Sequence, residues 1–284
     1  MDLVSMSSLL QPAQAQRYAV GGFTLANLET TYAITEEAGA RRSPALLMIG
    51  PWELPLLGAA GAVAITRMAA QDGDVPVCLH LDHATEFGLV QTCIEAGFSS
   101  VMMDASAEGF EGNVEATRKV VEMAHPRGVS VEGELGAVGR GDGWSVEGAP
   151  ESSLTDPKRA AEYVERTGID ALAISIGNAH GMYVHSPVLD FERLAAIRDA
   201  VSVPLVLHGG SGTPLDQLQR SISLGICKVN VASELSRAFL NAIVETVAPA
   251  EGKVWWTTAL TNGKTAMREI VGRWMGELGC AGRV

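Results

Sequence analysis

Apolar residues in this chain gather into short runs, each followed by roughly ten to fifteen residues of helical periodicity, the β-then-α alternation of a parallel sheet. The runs are YAVGGF (18–23), ALLMI (45–49), VCLHL (77–81), SSVMMD (99–104), VSVEGE (129–134), ALAISI (171–176), PLVLH (204–208) and ICKVNV (226–231). Between them, NLETTYAITEEAGA opens on a capping Asn27, and TDPKRAAEYVERT offers Asp156 as cap with Pro157 at the first helical position. Gly97, Gly128, Gly168 and Gly225 stand just before strands, where helix C-terminal glycines belong. A last helix is expected over GKTAMREIVGRWMGEL (263–278). Eight β-α units in 284 residues predict a (β/α)8 TIM barrel with an extra C-terminal helix, one domain spanning 1–284, because a doubly wound open sheet usually has fewer strands.

In such a barrel the C-terminal ends of the strands line the active-site face. Polar residues accumulate at those ends. HLDH (80–83) brings Asp82 and His83 to the end of the third run; Asp104 ends the fourth, and Glu132 and Glu134 the fifth. GNAHG places His180 after the sixth, His208 ends the seventh, and Asn230 sits in the eighth. A single His or Asp at a strand end is ordinarily a cap or a hydrogen-bonded structural group. Three strands each delivering a histidine to one rim, His83, His180 and His208, form instead the pattern of a zinc site with an open position. His80 reads as a core or supporting group, His125 as a complement to a helix dipole, and His185 as solvated.

The stretches HGGSGTP (208–214) and NVAS (230–233) each run into a helix and offer backbone N–H groups to an anion, where barrel phosphate sites are usually built. A metal with an open position, a phosphate cradle and an adjacent carboxylate predict Lewis-acid polarisation of a carbonyl while a carbon–carbon bond breaks. Asp82 would take the hydroxyl proton of the departing aldehyde and return it in condensation.

Charge and composition narrow the partners. The net charge is −12 with no Lys/Arg cluster, so nucleic acid is not expected. Scattered cysteines, an N-terminus without a basic-then-apolar leader and the lack of an uninterrupted apolar stretch of ~20 residues predict a soluble cytoplasmic protein without a membrane partner. Of Lys119, Lys158, Lys228, Lys253 and Lys264 only Lys228 lies on a predicted strand, so a Schiff-base aldolase is a weak alternative. A zinc hydrolase would call for an H-x-H pair, which is absent. A sugar-phosphate-binding subunit without catalysis stays open.

The strings HLDHATE, SSVMMDAS, VSVEGELGAVG, IGNAHGMY, PLVLHGGSG and KVNVASEL, in this order, resemble the class II, zinc-dependent fructose-bisphosphate and tagatose-bisphosphate aldolases. The resemblance implies Asp82 as catalytic acid–base and His83, His180 and His208 as zinc ligands, with Asp104 and Glu134 at a secondary or alternative metal position. It also implies that Gly181, Gly209, Gly210 and Ser211, with Asn230, Val231, Ala232 and Ser233, contact dihydroxyacetone phosphate. A monovalent cation, Na+ or K+, near Gly181 and Gly209 and a homodimer or homotetramer follow from the same likeness; the apolar last helix, with Trp274 and Met275, is the expected interface.

Three departures bear on the substrate. Thr24 follows Phe23 where the family commonly has Asn, and Gly50, Pro51 and Trp52 stand where fructose-bisphosphate members place a Ser. GAVGRGDG brings Arg140 and Gly141 near the place of a family glutamate that moves the donor's carbon-bound proton. Asp142 or Glu147 would then take over that transfer, and Arg140 would meet an acidic group on a longer or acidic sugar phosphate.

Overall fold

The computed structural model describes residues 2–140 and 153–284, and of Arg140 the backbone. All eight apolar runs become barrel strands. In chain order the strands are β1 (Val20–Thr24), β2 (Ala45–Ile49), β3 (Val77–Ala84), β4 (Ser100–Met103), β5 (Ser130–Leu135), β6 (Gly139–Arg140), β7 (Ala171–Ile174), β8 (Ala179–His180), β9 (Leu205–Leu207) and β10 (Ile226–Val231). The closed barrel runs β1-β10-β9-β7-β5-β4-β3-β2 with every pairing parallel, while β6 and β8 form a separate small ribbon.

The helices are α1 (Met6–Gln16), α2 (Leu28–Arg41), α3 (Leu54–Gly73), α4 (Phe87–Ala96), α5 (Gly109–Ala124), α6 (Pro157–Thr167), α7 (Phe191–Ala200), α8 (Leu215–Ser223), α9 (Ser233–Val247) and α10 (Trp256–Glu277). Local chemistry sets several ends. Asn27 accepts from Thr30 N in a capping box and Asp156 accepts from Lys158 N, so both predicted caps form. Gly97, Gly128 and Gly168 close their helices in the left-handed conformation that glycine adopts without steric cost.

Helix α1 was not foreseen from the sequence. It buries Met6, Leu9, Leu10 and Ala13 against the N-terminal end of the barrel. Val4 N donates to Val77 O at 2.9 Å at the start of β3, and the hydroxyls of Ser7 and Ser130 meet at 2.9 Å at the start of β5. That end is therefore plugged, and the open mouth is at the other.

Helix α10 starts at Trp256, seven residues before the predicted Gly263. That glycine marks close packing rather than a helix start, since a Cβ there would meet Phe239 of α9 at 3.1 Å. Trp274 and Met275, expected at an interface, are 2% and 0% exposed inside the protomer, and Trp274 Nε1 donates to Glu234 Oε2 at 2.8 Å. The expectation is corrected accordingly: these two residues fill the seam between α10 and the barrel. Among the described helices, α3 alone is long and apolar enough to cross a membrane. Here it is the crossover between β2 and β3, kinked at Gly58, with Ala62, Val63, Thr66, Ala69 and Ala70 buried.

Candidate active site

The mouth of the barrel holds a cavity of about 550 Å³ lined by Thr24, Met48, Gly50, Trp52, Glu53, Asp82, His83, His180, Gly181, Gly209, Ser211, Asn230, Ala232 and Ser233. Every lining residue belongs to a strand's C-terminal end or to the loop or helix start that follows it, because side chains deeper in the strands fill the core.

His83 owes its position to a local distortion. From Leu81 to Ala84, β3 takes three steps while its partner β4 takes two from Val101 to Met103, a bulge. His83 sits at φ +50, a conformation costly for a non-glycine residue and concentrated at functional sites. The bulge turns the imidazole toward His180 and His208. The ring centroids of His83 lie 4.7 Å from those of His180 and 4.6 Å from those of His208, and the Nε2 atoms of His83 and His180 approach to 3.0 Å.

Carboxylates fix two of these rings from behind. Asp104 Oδ2 meets His83 Nδ1 at 2.9 Å, and Glu132 Oε1 meets His208 Nε2 at 2.8 Å. A hydrogen bond on one ring nitrogen leaves the other to a metal, the usual way of orienting an imidazole ligand. His208 Nδ1 and Glu134 Oε2 face each other at 3.1 Å, both buried and out of line for a hydrogen bond. Two buried polar atoms without hydrogen bonds, beside histidines whose candidate donor atoms all lie within 4.8 Å of one another, fit a divalent ion. A second triplet, His80, Asp82 and Glu132, is equally close but does not fit one. Lys228 Nζ already lies 2.6 Å from Glu132 Oε2, and both side chains are fully buried. That clamp also argues against Lys228 in the Schiff-base alternative, since its amine is fully buried, is paired with Glu132 and does not line the cavity.

Asp82 keeps 16% of its side chain exposed and accepts from Asn230 Nδ2 at 3.2 Å. Burial pushes its carboxyl up, but the positive charge of His83, His208 and Lys228 outweighs burial and holds it at about 2. His80 donates to or accepts from Ser100 Oγ at 2.8 Å; burial, reinforced by Lys228, lowers its pKa to about 3. Burial would lower His208 too, yet the Glu132 and Glu134 carboxylates raise it to about 10.

These shifts set a pH dependence for the metal-free protein. His208 binds its proton more tightly when folded, so its contribution is complete below its ordinary 6.5 and is lost as pH rises through about 10. His80 resists protonation when folded, so its contribution is complete above 6.5 and is lost as pH falls toward about 3. Stability of the chelated protein is expected to peak near pH 6.5 and to fall on each side by up to about 1.4 kcal/mol per pH unit per group. Melting temperatures from pH 4 to 9.5 measure this; a steady rise over the whole interval would contradict it.

The glycine-rich segment behaves as expected in part. Gly209 has φ +66, and a Cβ there would lie 1.9 Å from Ala179 O, so only glycine fits. Ser211 Oγ accepts from Glu234 N at 3.2 Å, tying this loop to the start of α9, whose N-cap Ala232 supplies no side-chain cap. That start faces the cavity with backbone N–H groups suited to an anion. Gly210 and Val231 do not line the cavity: Gly210 N donates to Asn230 O at 2.9 Å, and Val231 packs in the core. Arg140 pairs through its backbone with His180, while its side chain, Gly141, Asp142 and Glu147 lie outside the described residues. Glu53 and the Lys228–Glu132 pair were missed in the sequence: nothing in GPWELP marks Glu53 as a cavity residue, and only the barrel's closure brings Lys228 to Glu132.

A parallel eight-stranded barrel with histidines and an acid converging at its C-terminal mouth defines a TIM-barrel protein with a candidate metal-binding active site. The family model for class-II fructose-bisphosphate aldolase matches residues 4–283, and the chain belongs to that family and is therefore an aldolase, a carbon–carbon lyase of a generally metal-dependent kind. Solved structures agree. The YdjI aldolase from Escherichia coli K12 is similar at 32% identity and TM-score 0.87, over 99% of each chain. The fructose-bisphosphate aldolase (Fba) of Campylobacter jejuni shares the fold at 24% identity and TM-score 0.85, covering 100% of this chain and 97% of that one.

Proposed function

We propose that the protein is a zinc-dependent aldolase that reversibly cleaves a ketose 1-phosphate or ketose 1,6-bisphosphate to dihydroxyacetone phosphate and an aldehyde. The observation that carries this reading is the convergence of His83, His180 and His208 beside Asp82 in one cavity. The three imidazoles would hold the ion, with Asp104 and Glu132 keeping two of the rings in their ligating orientation. Bound there, zinc would supply Lewis-acid polarisation of the donor carbonyl.

The chain's own groups do the rest. Gly181, Gly209, Ser211 and the start of α9 at Ala232 and Ser233 receive the phosphate, so the donor carbons lie toward the histidines. Asp82, ionised at neutral pH and oriented by Asn230, accepts the hydroxyl proton as the carbon–carbon bond opens and returns it in condensation. Asn230 Oδ1, buried without a hydrogen bond on a residue that lines the cavity, is one acceptor for a substrate hydroxyl. The reading includes a soluble cytoplasmic homo-oligomer. Exposed Leu240 and Val244 on α9, with Trp255 and Trp256 at the start of α10, support an oligomer better than Trp274 does.

Deuterium exchange on dihydroxyacetone phosphate in heavy water, followed by NMR, tests the donor half-reaction without naming the aldehyde. Zinc-loaded protein is expected to catalyse exchange, and chelator-treated protein is not. Absence of exchange by loaded protein that binds the donor would overturn the catalytic reading in favour of a sugar-phosphate-binding subunit.

A further inference from the structure

Glu53 stands at the N-cap of α3, where a carboxylate ordinarily bonds to the helix's own first N–H groups. It makes no such cap. Instead its side chain turns back, Oε2 accepts from Gly50 N at 3.2 Å, and the carboxylate joins Asp82 and His83 in the cavity wall. Gly50 makes this possible: a Cβ there would meet Glu53 Oε2 at 3.0 Å and Trp52 Cε3 at 3.4 Å. Gly50 and the sequence PWE that follows it are thus one structural unit. Trp52, 67% exposed, lines the same side of the mouth.

The position of this unit assigns it to one half of the substrate. On the rim, β2 is next to β3, which carries Asp82 and His83, and three strands away from β9, whose loop leads into the phosphate cradle. An aldehyde whose hydroxyl proton is handled by Asp82 therefore extends toward Trp52 and Glu53, away from Gly209 and Ser211. Among the described residues lining the cavity none is Lys or Arg. A second phosphate on the aldehyde would meet the carboxylates of Glu53 and Asp82 with no cation from these residues to offset them. Sugar hydroxyls would instead donate to the Glu53 carboxylate while their C–H face packs on the Trp52 ring.

Resting on the reading of dihydroxyacetone phosphate as donor, we propose that Trp52 and Glu53 form the subsite for the aldehyde half and select an uncharged, polyhydroxylated aldehyde over a phosphorylated one. The natural ketose is then a 1-phosphate rather than a 1,6-bisphosphate.

The test is condensation by the zinc-loaded protein at saturating dihydroxyacetone phosphate, with kcat/KM measured for glyceraldehyde, erythrose and glyceraldehyde 3-phosphate. The wild type is expected to favour the two uncharged aldehydes by about tenfold or more, as for one close like-charge contact. Glu53→Gln, which removes the charge and keeps the shape, is expected to narrow that ratio about tenfold. Trp52→Ala should raise KM for erythrose more than for glyceraldehyde. Because each readout is a ratio within one protein, a general loss of activity does not imitate it. A wild type that prefers glyceraldehyde 3-phosphate, or a ratio unmoved in Glu53→Gln, overturns the subsite. Failure of the wild type to exchange the donor proton overturns the donor reading itself, and the two failures are distinct.

Discussion

Asp82→Asn is expected to lower kcat for cleavage by about 10²- to 10⁴-fold, the usual worth of a positioned acid–base, while zinc content per chain stays near that of the wild type. Asparagine preserves the size of the side chain and its contact with Asn230 but cannot take a proton. His83 and His208 remain held by Asp104 and Glu132, so metal retention separates loss of proton transfer from collapse of the site. With its carboxyl held at about 2, Asp82 is ionised at neutral pH, and the wild-type rate should show no acid limb from this group above pH 4. An Asp82→Asn protein retaining more than a tenth of wild-type kcat would remove Asp82 from the chemistry.

Lys228→Met carries the second large effect, and it acts on stability and metal binding together. Lys228 and Glu132 are both fully buried 2.6 Å apart, so removing the ammonium strands a carboxylate in the barrel interior. Breaking one half of a buried pair costs about 3–5 kcal/mol. For a chain of this size, that corresponds to a fall in melting temperature of about 10 °C. Glu132 is also the group that orients His208, so zinc affinity should fall about 10- to 100-fold. The double variant Lys228→Met/Glu132→Gln is expected to recover most of the melting temperature, because no lone charge remains, but less of the zinc affinity. A single variant melting within 2 °C of wild type, ~0.5–1 kcal/mol at this size, would show that the pair is not the strut the geometry describes.

Much of this was visible in the chain itself. The alternation of apolar runs with helical stretches determined the barrel, because a strand buried on both faces must be apolar throughout while its covering helix is apolar on one side only. Polar residues interrupting those runs at their C-terminal ends, HLDH above all, marked the rim at which the cavity opens. What stayed hidden depends on groups distant in sequence. Lys228 and Glu132 meet because β10 and β5 face into the same barrel, and nothing local to either residue signals the other. Trp274 and Met275 read as surface until α10 is seen to lie against α9 and α2. Glu53 carries no signal of its own in the chain, and only the turn at Gly50 brings its carboxylate to the cavity. Periodicity along one segment reports which face of that segment is buried. Which groups share a buried space is decided only when the sheet closes, since closure alone sets the distance between strands remote in the chain.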